Sequence, residues 1–130
     1  MYAIAVEAGF SAVHRLRLLD GTMEPLHGHD WKVRVHFTRT SLDDLGMVLD
    51  FAEAKTGLDA LVGSLHHANL AEIEALAGVN PTAEVVARYV FDQLLAAGYA
   101  NVSMVEVSEA PGCTAMYDAS DPDPCADQAD

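Results

Sequence analysis

Basic side chains are scarce in this 130-residue sequence: seven Lys and Arg stand against twenty Asp and Glu, a formal net charge of −13. The seven are scattered, so no basic patch is available for phosphate backbones or anionic lipid, and neither nucleic acid nor a membrane is an expected partner. Long apolar runs are missing as well. None approaches the ~18 residues that span a bilayer, and the N-terminus has no basic stretch followed by an apolar one. These absences predict a soluble, unsecreted, cytoplasmic protein. Cysteine is limited to Cys113 and Cys125, too few for a disulfide framework.

Apolar material is plentiful. At 51% hydrophobic residues the chain has enough for the core of one domain, expected over residues 1–117. The remainder, "DASDPDPCADQAD" at 118–130, holds five aspartates and no Lys or Arg; it carries −5 and leaves −8 on the body. That composition predicts a disordered, solubilising tail, with partner binding as the alternative.

Two segments alternate with period two. Tyr2, Ile4, Val6, Ala8, Phe10, Ala12, His14 and Leu16 share one parity, which predicts a long strand. Asp20-Gly21 is a hairpin signal. In "LHGHDWKVRVHF" the residues His27, His29, Trp31, Val33, Val35 and Phe37 again share one parity. A helix is expected from Asp50, with Glu53 completing a capping box, through the stripe Phe51, Ala54, Leu58, Leu61, Val62 and Leu65. "HHANLAEIEALAGVN" reads as a loop with some helix. "NPTAEVVARYVFDQLLAAG" reads as a second helix, capped by Asn80 or Thr82 and stopped at Gly98. Two strands follow, "NVSMVEVSE" and, after a Pro-Gly turn, "CTAMYD". The expected class is α+β, in the order β-β-α-α-β-β, with an antiparallel sheet and both helices on one face.

The alternation puts His14, His27 and His29 on the apolar face of one hairpin. A single histidine there is usually a core residue with a hydrogen-bond partner. Three together are costly to satisfy that way, since each unsatisfied polar group costs ~1–3 kcal/mol. One cation would satisfy all three, and three imidazoles suit Zn²⁺ with a fourth position left open. His36 lies on the polar face and reads as a surface residue. His66 and His67 sit in a loop, solvated or catalytic. Glu109 shares parity with Val105 and Val107, so it should face inward, either ion-paired with Arg88 or Arg15 or aimed at a ligand.

The blocks "FSAVH", "LHGHDW", "GMVLDF", "LHHANL", "NPTAEVVARYVFDQL" and "VEVSEAPGCTAMY" occur in an order that resembles the 6-pyruvoyl-tetrahydropterin and 6-carboxytetrahydropterin synthases. The resemblance runs from about residue 2 to residue 117. It implies the tunnelling fold, in which three subunits close a barrel and two trimers stack into a hexamer. It also implies zinc ligands at His14, His27 and His29, a pterin-anchoring carboxylate at Glu109, and a pocket wall at Thr82 and Glu84 supplied by a neighbouring subunit. His67 falls on the histidine of the family's Asp-His pair.

Two positions depart from the family pattern. Met23 stands where the catalytic cysteine precedes His-Gly-His, and a thioether cannot exchange a proton. His66 stands where an aspartate orients the histidine. The leading expectation is therefore a homologue that binds a pterin-like ligand without the standard Cys-Asp-His relay. An active zinc-dependent lyase is the first alternative, with Glu24 or the His66-His67 pair as substitute base. Glu24 in an extended segment would face away from the pocket unless a turn at Pro25 re-aimed it. A non-catalytic structural or regulatory hexamer is the other alternative.

Overall fold

Alternating apolar residues form two 13-residue strands, β1 (Tyr2–His14) and β2 (His27–Arg39), paired antiparallel from Tyr2 opposite Arg39 to His14 opposite His27. They are seen in a computed structural model that describes residues 1–119. Trp31, Val33, Val35 and Phe37 of β2 are all buried, as is the same-parity set Val6, Phe10, Ala12 and His14 of β1. This face meets helix α1 (Phe51–Leu65) and helix α2 (Ala83–Ala96), with Leu58, Leu65, Val86, Val90 and Leu94 in the shared core. Strands β3 (Val102–Ala110) and β4 (Cys113–Asp118) complete one antiparallel sheet in the order β1-β2-β3-β4. The layout is the α+β arrangement expected of the tunnelling fold. No helix among the described residues is long and apolar enough to cross a membrane.

The helix starts follow side-chain chemistry. Asp50 accepts from the Ala52 N–H and caps α1, and Thr82 rather than Asn80 caps α2 through the Val85 N–H. Between the helices, the loop holds two 3-10 turns, Leu70–Glu72 and Glu74–Leu76.

Three expectations need correction. β1 stops at His14, two residues short of Leu16, because other partners take the backbone there. The Leu16 N–H donates to Glu24, and Arg17 gives its N–H to the Asn80 side chain. The chain still reverses at Asp20-Gly21, where Gly21 has φ +85°, a left-handed value natural for glycine. His36 is not free on the surface: its Nε2 lies 2.7 Å from Glu106 across the β2–β3 pair, and it is half-buried. Asp118 and Ala119, assigned to the tail by composition, are tied to the sheet: Asp118 ends β4 and the Ala119 N–H bonds to the Ser103 carbonyl. Residues 120–130 lie outside the described residues.

Candidate metal centre

The register of the first hairpin brings the three histidines together. His14 is directly opposite His27, and His29 follows two residues later opposite Ala12, so all three project from the same face at the loop end of the hairpin. Their rings meet edge-on, with centroids 4.7 Å apart for His14–His27, 5.1 Å for His14–His29 and 4.7 Å for His27–His29. Trp31 packs edge-on against His14 and His29 and forms an apolar wall.

The hydrogen bonds fix which nitrogen faces inward. His14 Nδ1 is 2.8 Å from the Pro81 carbonyl, and His27 Nδ1 is 2.8 Å from the Pro25 carbonyl. A carbonyl only accepts, so Nδ1 carries the proton in both rings and Nε2 presents a lone pair. This is the tautomer of a metal-ligating histidine whose other nitrogen is held by an outer partner. His14 is fully buried, and neither its Nε2 nor His29 Nε2 has a hydrogen-bond partner among the described residues.

Glu109 joins the cluster. The β3–β4 register shifts between Ser108 and Ala110, and such a bulge re-aims the side chain it carries. Glu109 Oε1 lies 3.0 Å from His29 Nε2 and 3.6 Å from His14 Nε2. One ligand atom from each of His14, His27, His29 and Glu109 falls within a 4.8 Å span. Two ligands ~2.0–2.1 Å from a tetrahedral ion stand about 3.3 Å apart, a value bracketed by the 3.0 and 3.6 Å separations. The donor set and the two orphaned buried nitrogens fit a metal ion. Neither arginine considered as a partner takes Glu109. Arg88 bonds to Asp92 and lies over the Tyr117 ring, and the Asp92 bond holds its guanidinium above the ordinary pKa.

Glu24 also reaches the centre. Its Oε1 accepts from the Leu16 N–H at 2.9 Å and lies 3.6 Å from His27 Nε2. Of the two arrangements expected for Glu24 the re-aimed one is found, residues 15–26 not being regular strand apart from an Arg17–Met23 bridge. Met23 itself is half-exposed.

His66 and His67 occupy the edge of β1. Ser11 gives its backbone N–H to His66 Nδ1 at 3.0 Å and accepts the His67 N–H on its carbonyl at 2.6 Å. A backbone amide cannot accept, so neutral His66 carries its proton on Nε2. The two rings stack with centroids 3.8 Å apart, and His67 has φ +60°, costly for a side chain other than glycine. A cleft of about 290 Å³ includes His29, His67, Ser11 and Asp30 in its lining, so one histidine of the pair and one of the triad border a common space. Ser11 Oγ donates to Asp30 at 2.6 Å. Thr82 and Glu84 lie on the first turn of α2, Thr82 as its cap and Glu84 exposed.

Sequence reasoning passed over Pro81 and Asn80. The Asn80 amide clamps both backbone groups of Arg17, Oδ1 accepting at 2.7 Å and Nδ2 donating at 3.0 Å, beside the carbonyl that holds His14. The Asn-Pro pair was the available signal, read only as a helix start.

Comparison with known proteins agrees with the fold and extends the reading. The family model described as 6-pyruvoyl tetrahydropterin synthase matches residues 3–120. The 6-carboxy-5,6,7,8-tetrahydropterin synthase of Synechocystis is 35% identical over 122 residues, covering 90% of this chain and 93% of that protein. The 6-pyruvoyl tetrahydropterin synthase of Caenorhabditis elegans superposes with a TM-score of 0.78 at 23% identity, over 91% of this chain and 95% of that one. The Plasmodium vivax synthase, solved with a catalytic glutamate replaced by alanine, gives 0.68 at 18% identity, over 89% and 96%. The match along nearly the whole chain, with the identity to the cyanobacterial protein, shows that the chain belongs to the 6-pyruvoyl tetrahydropterin synthase family.

Proposed function

We infer that this protein is a zinc-dependent enzyme acting on the side chain of a reduced pterin, with Glu24 as the proton-transfer group in place of the missing thiol. The observation that carries this reading is the position of the Glu24 carboxylate, 3.6 Å from His27 Nε2 and anchored by the Leu16 N–H. Of the two courses left open by Met23 and His66, loss of the standard chemistry or a substitute base, that position favours the second. The glutamate named as catalytic in the P. vivax synthase supports a carboxylate in such a role.

His14, His27 and His29 would hold the ion. When bound, zinc supplies Lewis-acid polarisation of a substrate oxygen and eases ionisation of the attached hydroxyl. The other steps belong to the chain. Glu109 accepts the two adjacent N–H donors of a 2-amino-4-oxo ring, as it would a guanidinium, and so orients the pterin. Glu24 then removes or returns a proton at the side-chain carbons, a role worth ~10²–10⁴-fold in rate. Trp31 excludes water from the inner side of the centre. His67, with its backbone fixed by Ser11, faces the shared cleft as a second acid-base group. Thr82 and Glu84 complete the pocket from a neighbouring subunit in a trimer-based hexamer, the assembly that the family resemblance implies.

Incubation of the zinc-supplemented protein with 7,8-dihydroneopterin triphosphate, with chromatographic analysis, tests the reading. Wild type should form a 6-pyruvoyl or 6-carboxy product or release the side chain, and Glu24→Gln should turn over ~10²–10⁴-fold more slowly. Intact substrate from wild type would refute turnover and leave a pterin-binding protein without this chemistry. Equal rates in the two proteins would remove Glu24 from the mechanism.

A further inference from the structure

The three histidines leave a fourth position for water or substrate, yet a carboxylate oxygen stands in it. Glu109 Oε1 is 3.0 Å from His29 Nε2 and 3.6 Å from His14 Nε2, with no hydrogen bond to either. In His14 the hydrogen bond to Pro81 commits the proton to Nδ1, so a nitrogen lone pair faces a carboxylate lone pair. Two such acceptors repel, and a metal cation between them turns the repulsion into attraction. A set of three imidazoles and one carboxylate is also a complete tetrahedral shell, as in closed structural sites, whereas a catalytic centre keeps one position open.

We propose that Glu109 alternates between two mutually exclusive partners: in the resting protein it is the fourth ligand of the metal, and on substrate binding it leaves the metal to take the pterin ring. The exchange deepens the pterin reading above and rests on it. Glu109 suits such movement, since it is about a quarter exposed and sits on a β-bulge, whereas His14 is fully buried. The three histidines stay in place through their carbonyl and Trp31 contacts. The position vacated by Glu109 becomes the one that a substrate oxygen enters, so the centre opens only when the ring is seated.

Linkage then makes a plain ring and the metal antagonists. A pterin lacking a side chain must displace Glu109 and offers no oxygen in return, so metal and ring weaken each other by one common factor. The test uses pterin itself as the probe, zinc or cobalt(II) as the metal, and Glu109→Gln as the variant. Metal-free wild type should bind pterin at least about tenfold more tightly than zinc-loaded wild type. The d–d spectrum of the cobalt(II) protein should change on adding pterin, and Glu109→Gln should change it without pterin. Cobalt spectra identical in wild type and Glu109→Gln would overturn the ligand role. Equal pterin affinity with and without zinc would overturn the exchange. Absence of pterin binding in both states would defeat the pterin reading and the exchange with it, while the cobalt comparison still decides the ligand role.

Discussion

Replacing Asn80 by alanine separates the support of the metal site from the stability of the fold. Asn80 makes two hydrogen bonds to the Arg17 backbone, at 2.7 and 3.0 Å. Each is worth ~0.5–1.5 kcal/mol, and water can replace part of it at this exposed position, so metal-free Asn80→Ala should lose about 1–2 kcal/mol. The next residue, Pro81, accepts from His14 Nδ1 on its carbonyl, and that bond sets the tautomer and tilt of a buried histidine of the candidate centre. Outer partners of this kind carry 10–100-fold in metal affinity, or about 1.4–2.7 kcal/mol. The variant saturated with zinc should thus be destabilised by more than the metal-free one, by that further amount. Thr82→Ala is the control. It removes the α2 cap at ~1 kcal/mol and leaves the Asn80 clamp and the Pro81 carbonyl in place. Denaturant unfolding and competitive zinc titration of both variants give the two numbers. Unchanged zinc affinity in Asn80→Ala, alongside the expected stability loss, would refute the positioning role and leave Asn80 a structural tie.

Packing and hydrogen bonding elsewhere in the fold set other outcomes. Leu58→Ala empties a fully buried core position on α1 and should cost ~2–5 kcal/mol in denaturant unfolding. His66→Phe keeps a flat ring beside His67 but leaves the Ser11 N–H without its acceptor. It should destabilise by ~1–3 kcal/mol, and a neutral result would mean that water restores the bond. Burial raises the Tyr89 phenol above its ordinary value of 10.0, so the folded state keeps that proton after the unfolded chain has lost it. Stability should therefore fall as pH climbs through the alkaline range, and Tyr89→Phe should flatten that limb of the pH–stability curve.

Strand periodicity makes the histidine triad legible in the sequence, because a period of two sorts side chains by face without reference to distant contacts. Val105, Val107 and Glu109 yielded to the same logic, although the bulge that aims Glu109 at His29 left no mark in the alternation. Glu24 could be read either way, outward on an extended segment or inward past a turn at Pro25, because the alternation does not show where regular strand ends. The Leu16 and Arg17 backbones are instead held by Glu24 and by Asn80, 63 residues from Arg17. The bonds made by the Pro25 and Pro81 backbone carbonyls left no mark in the alternation, yet they set the tautomers of His27 and His14. His36 shows the converse limit: its polar-face position was right, and its pairing with Glu106 depended on a neighbouring strand far along the chain.

Zinc stoichiometry, measured by elemental analysis after equilibration with zinc and removal of loosely held ion, is the most direct test of the centre. Wild type should retain one zinc per chain, and His29→Ala, altered at a partly exposed ligand, should fold but retain none. Wild type that retains no zinc, or His29→Ala that retains as much as wild type, would contradict a metal centre built from His14, His27 and His29.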